Sequence, residues 1–147
     1  MSPIKRHEAR RLALLAQFAR ENTGYGVGET LQWMALLKPD WSDLPDFTRQ
    51  LCYSLEQNER EITSQVSNVL QNWTLERLGL VKRAILKLAA TEILRFSDIP
   101  PRVTINEYIE LSKRYANENA PAFINGVLDR LVEVARKPDV QLPKRRT

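Results

Sequence analysis

Apolar side chains recur at three- and four-residue spacing along almost the whole 147-residue chain, and sustained apolar–polar alternation is missing. A helix returns a side chain to the same face every 3.6 residues, whereas a strand does so every two. The pattern therefore predicts an all-α fold. With only 5 glycines, a sandwich or barrel rich in tight turns is disfavoured as well. The length suits one domain with a substantial core.

The punctuation divides this pattern into six or seven helices in one compact bundle. Ser2-Pro3 predicts the start of the first, with Ala9, Leu12, Ala13, Ala16 and Ala19 facing inward. Thr23 to Gly28 reads as a loop, and a short helix over 29–38 stops at Pro39. Ser42 or Asp43 is expected to cap a helical stretch over 46–72, with a junction concealed in the polar run 56–61. Thr74 is expected to cap a helix reaching about Ser97. Its apolar residues occupy most faces, which marks it as the central helix. Asp98-Ile99-Pro100-Pro101 ends it. Thr104 and Glu107 have the spacing of a capping box for the next helix, and Asn119-Ala120-Pro121 opens the last, which ends before Pro138.

Charge is concentrated at the ends. Lys5, Arg6, Arg10, Arg11 and Arg20 stand against Glu8 alone in the first 20 residues, while Arg136, Lys137, Lys144, Arg145 and Arg146 stand against Asp139 in the last 12. Since the whole chain carries +4, the body between is mildly acidic. Basic ends on an acidic body suit contact with a polyanion, and they equally suit plain solubility.

The chemical inventory disfavours catalysis. One histidine, His7, and one cysteine, Cys52, rule out a multi-histidine metal site and a disulfide framework. No metal or cofactor is expected. The glycines at 24, 26 and 28 lack the lysine and the preceding strand of a phosphate-binding loop. Cys52 sits in apolar company and reads as a buried small hydrophobe. Glu92, set among apolar residues, is expected to pair with an arginine or a helix N-terminus. No run is long enough for a membrane span and no apolar leader core is visible, so a cytoplasmic location is expected.

Two longer motifs are more specific. Val103-Thr104-Ile105-Asn106-Glu107-Tyr108-Ile109-Glu110-Leu111-Ser112-Lys113 is followed by Phe123-Ile124-Asn125-Gly126-Val127-Leu128-Asp129, after an Ala90-Thr91-Glu92 segment and Ser97-Asp98-Ile99-Pro100. This order and spacing resemble the NusB family of transcription antitermination factors over roughly 70–147, and the cationic residues around Ala9-Arg10 resemble that family's N-terminal helix over 4–20. The resemblance implies an all-α fold of two small helical subdomains, with the parts at 4–72 and 73–138 and a basic tail at 139–147. It also implies binding to boxA sequences in nascent ribosomal RNA together with NusE, a small-subunit ribosomal protein, and assembly on RNA polymerase. The chain is expected to end without room for the methyltransferase domain that some NusB-like domains precede.

Within that frame Gly126, which costs a helix about 1 kcal/mol relative to Ala, suggests close approach by another helix. Asn106 and Asn125 are expected to donate their amides to a neighbouring loop or terminus. The RNA is expected on Lys5, Arg6, His7, Arg10 and Arg11 of the first helix, extended by Lys82, Arg83 and Asn119. Phe18 and Phe123 either stack on unpaired bases or pack in the core. A helical interaction scaffold without RNA is the competing reading, and the choice between monomer and homodimer stays open.

Overall fold

The computed structural model describes residues 3–136; Ser2 and the basic tail lie outside them. Among the described residues there are seven α-helices and no strand: α1 (Pro3–Thr23), α2 (Val27–Leu37), α3 (Asp46–Gln57), α4 (Glu59–Val69), α5 (Leu80–Arg95), α6 (Pro101–Tyr115) and α7 (Ala120–Leu131). Short 3-10 turns at Pro39–Asp43 and Leu75–Arg77 join α2 to α3 and α4 to α5, and α7 runs on as a π-helical turn over Val132–Arg136.

α5 is the axis of the bundle, touching α1, α3, α4, α6 and α7. Every residue from Ala84 to Ile93 is buried, as expected for a helix with apolar residues on most faces. Each fully buried Leu or Ile contributes about 1.5–3 kcal/mol. The alanines of α1 let neighbours approach its backbone, and the Thr48 hydroxyl of α3 donates to the Ala9 carbonyl at 2.8 Å. Ala9, Leu12, Ala13 and Ala16 are buried as predicted, while Ala19 is half-buried. Cys52 is buried, and desolvation pushes its thiol up to about 12.

Several boundaries differ from the sequence pattern, and at the start of α2 a tertiary contact overrides the local signal. Gly24, at φ +80°, closes α1 with its N–H donating to Arg20 O at 2.8 Å. α2 then starts at Val27, two residues early, because the Glu56 carboxylate of α3 accepts the Val27 N–H at 2.9 Å. The concealed junction falls at Asn58. α3 begins after Pro45 rather than on Ser42 or Asp43. Thr74 leads only into the 3-10 turn, and α5 starts after Gly79.

The capping box does not form. α6 starts at Pro101, so Thr104 and Glu107 lie inside it, and the buried Thr104 hydroxyl donates to Glu92 at 3.0 Å. Gly126 is not pressed by another helix either. A Cβ there would meet only the Arg130 guanidinium, at 3.6 Å, because α7 turns Ile124, Val127, Leu128 and Leu131 inward instead. Neither Asn106 nor Asn125 makes a side-chain hydrogen bond to a described residue.

Candidate nucleic-acid interface

Successive residues on a helix are rotated by about 100°, so the basic cluster of α1 cannot face one way. Arg10 points inward with 2% of its side chain exposed. Its Nε and Nη2 donate to the two oxygens of Glu92 on α5, each at 2.8 Å. Burial disfavours the charge on Arg10, but the Glu92 bonds and charge, with the charges of Tyr108 and Glu107, together outweigh it and hold its pKa above the ordinary value. The Tyr108 hydroxyl is buried in the same place, and desolvation followed by the Glu92 charge lifts its pKa well above the usual phenol range. Glu92 thus has its arginine, as expected. Arg10, by contrast, is a structural residue and is withdrawn from the RNA-facing set.

The residues around it follow. Glu107 stands 3.7 Å from Arg10 Nη1 and bonds His7 Nδ1 at 2.6 Å, which ties the α1 imidazole to α6. Arg6, half-buried, lays its guanidinium over Phe47 of α3, 4.1 Å from the ring centroid. Arg6 and His7 therefore face the α3 and α6 packing as much as solvent. The expectation of an open row of cations fails because Glu107 and Phe47 claim two of them. Lys5 is exposed.

One step around the helix the surface changes character. Arg11 Nε and Nη2 bond Glu8 at 2.9 and 2.6 Å, and Nη1 donates to the Tyr115 hydroxyl at 3.3 Å. The Arg11 hydrogen bonds hold the Glu8 carboxyl below the usual carboxylate range. Arg114 lies over Tyr115, 5.2 Å from its ring centroid. Two turns further on, Phe18 is 37% exposed. It shares an apolar recess of about 150 Å³ with Leu14, Leu15, Val81 and Tyr115. An adjoining groove of about 470 Å³ runs between Phe18, the Gly79–Lys82 start of α5, and Tyr115, Ala116 and Asn117. Lys82 Nζ lies 5.3 Å from the ring centroid of Phe123, which is half-buried on α7. Asn119, exposed, precedes α7 and makes no cap with its side chain.

Three residues singled out in the sequence, Phe18, Lys82 and Phe123, are therefore brought onto one surface from α1, α5 and α7. Phe123 packs against the core while staying half-buried, and Phe18 is exposed at the edge of the recess. Arg83 does not join them. Its Nε lies 3.8 Å from Glu21, within a network of Arg20, Glu21, Glu59 and Lys87 that clamps α1 and α4 to α5. The groove adds Tyr115 and Asn117, and Arg114 beside them, none of them singled out for RNA from the sequence. Tyr115 has the spacing of the inward stripe of α6, and only the Lys113-Arg114 pair before it hints at a surface role. No group of three or more His, Cys, Asp or Glu residues that could hold a metal occurs among the described residues. No described helix is long and apolar enough to cross a membrane.

A comparison with protein families matches residues 7–133 to the model of the NusB family. The chain belongs to the NusB family. Transcription antitermination protein NusB of Bacillus subtilis (strain 168) is 36% identical over 128 residues, covering 87% of this chain and 95% of the relative. Its counterpart in Anaeromyxobacter dehalogenans (strain 2CP-1) is 36% identical over 129 residues, covering 86% and 89%. Among solved structures, T. maritima NusB superposes with a TM-score of 0.78 at 33% identity, over 93% of this chain and 97% of that one. A crystal structure of antitermination factors NusB and NusE in complex with dsRNA gives a TM-score of 0.77 at 25% identity, over 90% and 98%. The match to the family motifs read from the sequence thus extends through α2 to α4, where those motifs are silent.

Proposed function

We propose that the chain is an RNA-binding antitermination factor that recognises boxA-like single-stranded RNA together with NusE, in an assembly on RNA polymerase in the cytoplasm. The observation that carries this reading is the convergence of Phe18, Lys82 and Phe123 beside a groove with an aromatic and amide rim. Unpaired bases stack on accessible aromatic rings, and a lysine next to them neutralises phosphate. Family membership, and a relative crystallised with NusE and dsRNA, support RNA and NusE as the ligands.

With few cations on this face among the described residues, the chain alone is expected to bind RNA modestly, and a second protein surface would supply the remaining base contacts. NusE is therefore expected to raise RNA affinity by about 5–150-fold, the range of an ordinary coupling of about 1–3 kcal/mol. Linkage requires RNA to strengthen the contact with NusE by the same factor. Titrating single- and double-stranded boxA-like RNA, with and without NusE and at two salt concentrations, tests this. Equal affinity with and without NusE would remove the cooperative assembly.

A helical interaction scaffold without RNA is the competing reading. It draws on α2, where Trp33, Leu36 and Leu37 are exposed. Affinity for RNA that falls steeply with salt would exclude it.

A further inference from the structure

We propose that Glu8 is a built-in competitor for RNA phosphate at Arg11, occupying the guanidinium edge that a phosphate would use until RNA displaces it. The inference rests on the RNA-binding reading above and concerns how tightly that surface holds its ligand.

A guanidinium grips a carboxylate or a phosphate best through two parallel N–H groups on one edge. On Arg11 that edge is Nε with Nη2, and both bond Glu8, at 2.9 and 2.6 Å. A third donor, on Nη1, is taken by the Tyr115 hydroxyl at 3.3 Å. No phosphate can engage the Nε–Nη2 edge in two-point fashion while Glu8 remains there. The pair is also electrically neutral, so it offers approaching RNA no attraction.

The two partners are unequally held. Arg11 is 19% exposed and braced against Tyr115, whereas Glu8 is 47% exposed at its side chain. Glu8 can swing into water, while Arg11, braced by Tyr115, stays in place with its freed edge open to a phosphate. The pair beneath α1 has no such freedom, because Glu92 and Arg10 are both almost wholly buried. Tyr115 links the exposed pair to the groove beside Phe18 and Lys82, so a phosphate arriving at Arg11 would continue a strand lying in that groove.

The test measures affinity for a short single-stranded boxA-like RNA across a salt series. The proteins are the full chain, Glu8→Gln, Arg11→Gln and the double variant, with thermal melts reporting folding. Glu8→Gln is expected to raise affinity about three- to ten-fold at low salt. It should also steepen the log–log salt slope by about 0.7, the increment for one more neutralised phosphate on a single strand. In the Arg11→Gln background the same change should alter affinity by less than about two-fold, because the competition has lost its object. Equal gains in both backgrounds would make Glu8 a diffuse charge and overturn the proposal, as would no gain in the native background. Absence of RNA binding by the unmodified chain at low salt would instead overturn the RNA reading, and this inference with it.

Discussion

Arg10 and Arg11 are adjacent in sequence, and the helix sends them to opposite fates. Arg10 is sealed beneath α1 with its bidentate partner Glu92, whereas Arg11 lies on the rim with a half-exposed glutamate and a tyrosine. Buried ion pairs carry a large desolvation cost, and breaking one leaves an uncompensated charge in the core. Exposed pairs gain little and exchange readily with water or another anion. The same residue type therefore serves the fold in one position and is available to a ligand in the next. A basic stretch read as a unit confuses the two.

The largest effect should come from the buried side. Arg10→Ala is expected to destabilise the protein by about 3–5 kcal/mol in urea unfolding, since Glu92 would remain buried without its partner. Replacing both, as Arg10→Met with Glu92→Leu, should recover most of that loss. A single-variant cost below about 1 kcal/mol would erase the contrast between the two sides. Replacing Arg6, Arg10 and Arg11 together would therefore mix this loss of stability with any effect on RNA binding.

On the exposed side, Phe18→Ala should weaken RNA binding by about 1–3 kcal/mol, the worth of one stacked base. The melting temperature should fall less than for Phe123→Ala, because Phe18 is already 37% exposed. Phe123→Ala should lower both affinity and stability, since its ring also packs against the core. If Phe18→Ala affects only the melting temperature, the ring is a packing residue and the accessible surface has no aromatic function.

The sequence revealed the helices wherever periodicity and proline agreed, and α5 stood out because its apolar residues occupy most of its faces. What it concealed were decisions made by distant residues. Glu56 starts α2 from another helix, and Glu92 draws both Arg10 and Thr104 inward from two others. Thr104 and Glu107 have correct capping spacing, yet Pro101 begins the helix first. The candidate surface divides in the same way. Phe18, Lys82 and Phe123 could be named from residue type and position. The burial of Arg10 and the pairing of Arg83 with Glu21 could not, because both depend on which face α1 turns towards α5.

Two smaller effects refine the picture. Gly126→Ala should stabilise the protein by about 0.5–1 kcal/mol in the same urea experiment, since the new methyl meets only a flexible guanidinium end. A loss of stability would restore the close crossing that the motif suggested. The smallest effect concerns Glu8, whose pKa is depressed mainly by its hydrogen bonds to Arg11. A depressed carboxyl contributes stability above its unfolded pKa and loses it as pH falls through the folded value. Glu8→Gln should therefore cost about 0.2–0.5 kcal/mol at neutral pH, as for other helix-surface pairs, and nothing once the native carboxyl is protonated in acid.

The most direct test of the exposed surface is photocrosslinking from a boxA-like RNA carrying 4-thiouridine, with the attached peptides identified by mass spectrometry. The structure predicts crosslinks in peptides containing Phe18 or Phe123, since these rings lie on the accessible surface beside Lys82. Crosslinks confined to α2 or α4, with none to either phenylalanine, would contradict the account and move the RNA to another face of the bundle.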